Sequence, residues 1–154
     1  MTLYALPYAL HVLAALVWVG GMFFAWMVLR QAAGATLEAP ERLRLWVATF
    51  DRFFVWVWVA VAVLAVTGIG LLHMRFEGFA GAPRYVHIMA GLYLVMLALF
   101  LRVRLLNLPQ LKRNTTAERW AEAGVDLARI RRLVGINLLI GLAVVTLAAA
   151  RPMF

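Results

Sequence analysis

Four long apolar runs constrain this chain more than any other feature of its sequence. They cover about residues 3–29, 53–73, 85–101 and 133–150. Each is close to the roughly 20 residues that an α-helix needs to cross the hydrocarbon layer of a membrane. Backbone polar groups in that layer must be satisfied within the protein, so such runs are expected to be helices. The sequence therefore predicts an all-α protein with one domain, residues 1–154, built as a transmembrane four-helix up-down bundle.

The composition agrees with this fold and excludes several kinds of site. The chain is 66% hydrophobic, and its mean hydropathy of +0.89 is typical of integral membrane proteins. It has no cysteine, which excludes disulfides, thiolate metal sites, iron–sulfur clusters and covalently attached haem. The net charge of +8 does not indicate nucleic-acid binding, because the basic residues lie between apolar runs.

The distribution of Lys and Arg predicts the orientation in the membrane. Twelve of these 15 residues lie in the first and third connections between spans. They are Arg30, Arg42, Arg44, Arg52, Arg102, Arg104, Lys112, Arg113, Arg119, Arg129, Arg131 and Arg132. The opposite side holds Arg75, Arg84 and Arg151. Cytoplasmic loops are rich in Lys and Arg, so we expect a bacterial inner-membrane protein with both termini in the periplasm.

Two connections carry signals for additional helices on the cytoplasmic side. Pro40 is placed to begin a short interfacial helix in the first connection. In the third, Thr115–Glu118 has the pattern of a capping box. We expect an amphipathic cytoplasmic helix to begin there, run through Arg132 and continue into the fourth span.

Two histidines lie in similar apolar settings on the first and third spans. His11 is followed at helical spacing by Ala14 and Ala15, and His87 is followed in the same way by Ala90 and Gly91. An ionisable ring inside a span usually has a partner or a function. Spans one and three are diagonal in an up-down bundle, so the two rings could face one another through its centre.

A b-type haem between His11 and His87, near the periplasmic side, is our leading hypothesis. The small residues would clear space for the porphyrin, Trp18 would line an apolar pocket, and Arg75 and Arg84 would pair with the propionates. Two imidazole ligands leave iron no open position, which favours electron transfer. The alternative for the small residues is close helix packing, and a histidine can also simply be hydrogen-bonded across the core.

Copper is the competing ligand, because Cu(I) favours imidazole and thioether donors. The candidates in the outer half are His11, His73, His87 and Met89. Met89 points about 200° around the helix from His87, so the spacing alone is a weak signal.

A third hypothesis is an assembly partner without a cofactor. The expected partners are the lipid bilayer, a membrane or periplasmic redox or copper protein, and a second copy of the chain.

Several stretches resemble the CopD-like family of membrane proteins, which is linked to copper resistance. They are His11-Val-Leu-Ala-Ala-Leu-Val-Trp-Val-Gly-Gly-Met-Phe-Phe, Asp51-Arg52-Phe53-Phe54, and Ala128-Arg129-Ile130-Arg131-Arg132-Leu133-Val134 leading to Asn137. The resemblance implies a bacterial inner-membrane helical bundle with a role in copper uptake or tolerance.

The chain is also similar, more distantly, to the HemJ-type protoporphyrinogen oxidases. The similarity is the histidine of the first helix, and it implies haem binding. The lysine that this family carries on its third helix has no counterpart, since Lys112 is in a connection, and His87 takes that ligand position.

Overall fold

The computed structural model describes residues 4–150, and this part of the chain is helical with no β-strand. It forms four helical columns, each long and apolar enough to cross a membrane. The columns are Ala5–Thr36, Ala39–Phe76, Arg84–Thr116 and Trp120–Ala150. The expected all-α, four-helix transmembrane bundle is confirmed, and the protein is a multi-pass membrane protein.

Two of the columns contain a π-helical turn. The first consists of α1 (Ala5–Phe24), a π turn (Ala25–Leu29) and α2 (Arg30–Thr36). The second is one continuous helix, α3 (Ala39–Phe76). The third consists of α4 (Arg84–Arg102), a π turn (Val103–Asn107) and α5 (Leu108–Thr116). The fourth is α6 (Trp120–Ala150), and a short 3₁₀ turn at Phe79–Gly81 precedes α4.

The connections define two ends of the bundle. Residues 37–38 and 117–119 join columns at one end, which we call the basic end because Arg42 and Arg119 lie there. Residues 77–83 join α3 to α4 at the other end, where α1 begins and α6 ends. We call this the terminal end.

The prediction of a separate interfacial helix beginning at Pro40 is wrong. Pro40 lies in the first turn of α3, where the missing N–H of a proline costs no helical hydrogen bond. The carboxylate of Glu41 in the same turn interacts favourably with the positive N-terminal end of the helix dipole. The helix then runs without a break to Phe76, over 38 residues. This length is about 57 Å at 1.5 Å per residue, so α3 extends well beyond a hydrocarbon layer of about 30 Å.

The capping box expected at Thr115–Glu118 is also wrong. Thr115 and Thr116 are the last residues of α5, and Glu118 has a left-handed backbone with φ of 57°. The reason is a buried polar network centred on Asn114. Its Nδ2 donates to Asp126 Oδ2 at 2.6 Å, and its Oδ1 accepts from Arg119 at 2.7 Å. This network stabilises the turn, and the expected helical extension before the fourth span begins at Trp120 as the first part of α6.

The core is built from aromatic side chains that bridge the helices. α1 packs mainly on α3, and α4 mainly on α6. Trp18 of α1 is 2% exposed and makes edge-on contacts with Tyr93 and Phe100 of α4, with ring centroids 6.3 and 6.2 Å apart. Phe100 also meets the ring of Phe54 on α3 at 5.3 Å. These contacts fill the centre of the bundle below its terminal end.

The outside of the bundle is apolar. Leu16, Val66, Leu94 and Leu139 are each more than 60% exposed. A surface of this kind is incompatible with water over a large area and fits the hydrocarbon of a bilayer.

Candidate functional site

His11 is held against α3 by a hydrogen bond that fixes its tautomer. Its Nδ1 lies 2.8 Å from Thr67 Oγ1. The Thr67 hydroxyl donates its one hydrogen to the carbonyl oxygen of Val63 at 2.6 Å, so the Thr67 oxygen accepts from the Nδ1–H of His11. His11 Nε2 therefore carries the free lone pair, which is the state in which an imidazole binds a metal.

A glycine on α3 lies against this ring. A Cβ at Gly68 would lie 3.4 Å from His11 Cε1, which is an ordinary van der Waals contact. Ala14 is buried and Ala15 half-buried one turn further along α1. Ala14 and Ala15 pack against the hydrophobic core of the bundle.

Thr67 is missing from the residues singled out in the sequence. Its signal there is a hydroxyl followed by a glycine inside the second apolar span. That signal is weak, because a threonine can satisfy its hydroxyl on its own helix, as Thr67 does.

His87 lies on the exposed face of α4. Its Nδ1–H donates to the carbonyl oxygen of Pro83 at 3.2 Å, and its ring is 5.7 Å from that of Phe79. His87 precedes the buried Met96 by nine residues, which is two and a half helical turns and places it on the opposite side of α4. Gly91 is exposed on this helix and Ala90 is half-buried.

The expectation that His11 and His87 face one another through the bundle centre is therefore corrected. The two imidazoles have different partners, and Trp18 and Tyr93 fill the space between α1 and α4. Tyr93 is anchored there by its hydroxyl, which donates to the carbonyl oxygen of Val61 at 3.0 Å. This arrangement does not fit a haem plane between the two histidines.

The remaining predicted residues lie around the terminal end. His73 is exposed, and its Nδ1–H donates to the Ile69 carbonyl oxygen at 2.9 Å. Met89 is half-buried on α4. Arg84 is exposed at the start of α4, and the exposed Arg75 has its guanidinium 5.7 Å from the ring of Phe76. Within residues 4–150, no three His, Asp or Glu side chains converge in a way that could hold a metal ion.

A groove opens between α1 and α3 at the terminal end of the bundle, nearer that end than His11. It has a volume of about 390 Å³, and we call it the terminal groove. It is lined by Tyr4, Tyr8, Leu71, Met74 and Arg75.

Helical spacing relates the terminal groove to the His11–Thr67 pair. Tyr8 precedes His11 by three residues, and Leu71 follows Thr67 by four. Residues three and four apart share a helix face, so the groove lies about one helical turn nearer the terminal end than the His11–Thr67 pair. Met74 lies on the same side of α3 as Thr67, seven residues or about 10 Å nearer the terminal end, and its half-buried side chain lines the groove.

Comparison with known proteins identifies the family. No curated protein and no solved structure matches the chain. One family model does, that of CopD, copper resistance protein D, and its match includes Thr67, Met74 and His87 but begins after His11. The match covers residues 47–151, more than half of the chain, and this four-helix membrane protein therefore belongs to the CopD family.

Proposed function

We propose that this protein handles copper in the bacterial inner membrane and accepts it as Cu(I) in the terminal groove. Copper is here a cargo, with His11 Nε2 and the Met74 sulfur as its first two ligands. The observation that carries the proposal is the position of His11. Its ring is half-buried and donates from Nδ1 to Thr67 across the interface between α1 and α3, whereas His73 and His87 are exposed and bond to backbone four residues earlier in the chain.

The chemistry of the groove supports a soft, singly charged ion. Imidazole and thioether donors suit Cu(I), which does not need the carboxylates that harder ions prefer. The family description, copper resistance protein D, agrees with a copper cargo. Arg75 lines the groove with its guanidinium over the Phe76 ring, and its positive charge opposes cation binding there.

Cu(I) titration of the purified protein in nanodiscs tests this proposal. A chromophoric Cu(I) chelator would compete under anaerobic conditions, and its colour would report the free ion. We expect His11→Ala and Met74→Leu each to weaken Cu(I) binding at least about 10- to 100-fold, because loss of a direct ligand should cost no less than loss of an outer-shell partner.

Two matched variants control for general effects of these substitutions. Met27→Leu removes an exposed thioether at the π turn of the first column, and His73→Ala removes an exposed imidazole. Both should bind Cu(I) like the unmodified protein. Equal binding by all four variants would exclude the terminal groove as the site.

Haem b with His11 as an axial ligand remains a second candidate, because the free Nε2 of His11 would serve iron as well as copper. The reduced-minus-oxidised visible spectrum of protein from haem-replete cells distinguishes the two. A b-type absorbance band that disappears in His11→Ala would support haem, and a colourless protein that carries copper would exclude it. Loss of the band in His87→Ala as well would show that α4 turns from its orientation here.

A further inference from the structure

Three arginines from three different helices come together at the basic end of the bundle. Arg30 begins α2, Arg42 lies near the start of α3, and Arg131 lies in α6. The positive charges of Arg30 and Arg42 are close enough to act on that of Arg131, so the three guanidinium groups are neighbours. We call these three residues the arginine cluster.

Helix packing explains how Arg30 and Arg131 meet. The ring of Trp26 on the first column packs against Gly135 of α6, where an added Cβ would lie 2.8 Å from the ring. Arg30 follows Trp26 by four residues, Arg131 precedes Gly135 by four, and the two columns run in opposite directions. Both arginines therefore lie about one helical turn nearer the basic end than the contact between Trp26 and Gly135.

No carboxylate within residues 4–150 forms an ion pair with the arginine cluster. Glu41, although adjacent to Arg42 in the chain, is exposed and makes no such pair. Like charges held close together without a counter-charge repel one another and favour the binding of an anion. The ion pairs in this part of the chain belong to other basic residues, namely Arg44 with Glu118, Lys112 with Asp51, and Arg129 with Asp126.

Most N–H donors of the arginine cluster are available to a ligand. The guanidinium of Arg30 lies over the ring of Trp26, 4.7 Å from its centroid, and Arg42 donates to the carbonyl oxygen of Leu37 at 3.2 Å. A guanidinium has five N–H donors, so each arginine keeps several of them. Their planar geometry matches the oxygens of a phosphate group, which can accept two parallel hydrogen bonds from one arginine.

An apolar surface adjoins the arginine cluster on the side of the membrane. Phe23 and Met27 of the first column are 47% and 45% exposed, and Leu139 of α6 is 69% exposed. These side chains lie within about 12 Å of the cluster along their helices, toward the terminal end. A phospholipid carries its phosphate next to its acyl chains, so it matches both the cluster and this surface, whereas a soluble phosphate matches only the cluster.

We propose that the arginine cluster binds the phosphate of one anionic phospholipid, whose acyl chains lie along the adjoining apolar surface. The site is at the opposite end of the bundle from the terminal groove, and it is independent of copper. Net negative charge on the headgroup determines the selectivity, because the three guanidinium groups have no counter-charge within residues 4–150.

Native mass spectrometry of the full chain in detergent tests the proposal with two lipids. Dioleoylphosphatidylglycerol and dioleoylphosphatidylcholine have the same acyl chains and a phosphodiester, but the first is anionic and the second is zwitterionic. We expect the first molecule of phosphatidylglycerol to bind at least about fivefold more tightly, the factor that one basic residue contributes near anionic headgroups. Equal affinities for the two lipids would overturn the proposal.

Variants of the unmodified chain locate the binding. Arg30→Gln, Arg42→Gln and Arg131→Gln should each weaken phosphatidylglycerol binding about ten- to hundredfold, the effect of losing hydrogen bonds to a charged group. Arg102→Gln is the matched control, because it removes the same charge from an exposed position at the end of α4. It should weaken binding by no more than about fivefold. Equal weakening by all four variants would show a general effect of net charge and overturn the cluster as the site.

Inorganic phosphate distinguishes a lipid from a soluble anion. Added in excess over phosphatidylglycerol, it should leave the lipid bound, because it makes no contact with the apolar surface beside the cluster. Displacement of the lipid by inorganic phosphate would make a soluble phosphate the occupant and overturn the assignment to a phospholipid. Arg30 is exposed and does not fill the core, so Arg30→Gln gives this test a folded variant that lacks part of the site.

Discussion

At the residue scale, this protein is distinguished by the few polar atoms that it buries in apolar helices. Thr67 is 8% exposed and holds the imidazole of His11, and Asn137 is 4% exposed with a free Oδ1. Both side chains face neighbouring helices, while His87 is exposed and bonds to its own helix. The surroundings of each polar group decide whether it can serve a ligand.

Replacing Thr67 with valine tests the hydrogen bond to His11. The variant keeps the shape of the side chain and leaves the His11 Nδ1–H without an acceptor, so we expect a loss of stability of about 1–3 kcal/mol. Unfolding in detergent, followed by circular dichroism, measures this loss. Thr146→Val is the control, because the exposed Thr146 hydroxyl bonds only to Leu142 of its own helix. An equal effect of both substitutions would contradict a special role for Thr67.

At the element scale, the helices approach one another where glycines meet large side chains. A Cβ at Gly21 would overlap the ring of Phe53 on α3, and a Cβ at Gly135 would lie 2.8 Å from Trp26. A Cβ at Gly141 would lie 2.9 Å from Val19. These contacts set the separations of the helices, and they leave a cavity beside Asn137 between them.

Gly21→Ala should therefore destabilise the bundle. The added methyl group forces Phe53 to move within a packed interface, and overpacking of this kind costs about 1–3 kcal/mol. Gly124→Ala is the matched control, since no atom lies within 4 Å of a Cβ at that position of α6. It should stabilise the helix by up to about 1 kcal/mol. Thermal unfolding of both variants measures the change in stability. Destabilisation by Gly124→Ala but not by Gly21→Ala would contradict the prediction.

At the scale of the whole molecule, the bundle is apolar outside and has basic connections at one end. The distribution of Lys and Arg predicts that the basic end faces the cytoplasm. The chain contains no cysteine, so single cysteines can be introduced as unique labels.

Labelling from outside the cell tests this orientation. Ala80 is exposed at the terminal end and Thr116 is exposed at the basic end. In spheroplasts, a membrane-impermeant maleimide should label Ala80→Cys at once and Thr116→Cys only after lysis. The reverse pattern would mean that the termini face the cytoplasm.

The sequence by itself determined the number of spans and the fold class. The length of each apolar run and the need to satisfy backbone groups in lipid leave a helical bundle as the solution. It also placed His11 on the first span. The predicted helix ends were wrong at Pro40 and Thr115. A proline fits the first turn of a long helix, as Pro40 does in α3. At Thr115 the buried hydrogen bonds of Asn114 stabilise a turn in place of the predicted capping box.

The tertiary structure alone decided which way each side chain faces. In a soluble protein the polar face of a helix marks the outside, but here lipid and core are both apolar, so hydropathy does not reveal the rotation of a helix. That rotation comes from packing, and on α4 the contacts of Tyr93 and Phe100 with Trp18 turn Met96 inward and His87 outward. The same packing brings Thr67 to His11 and leaves Asn137 facing an apolar cavity.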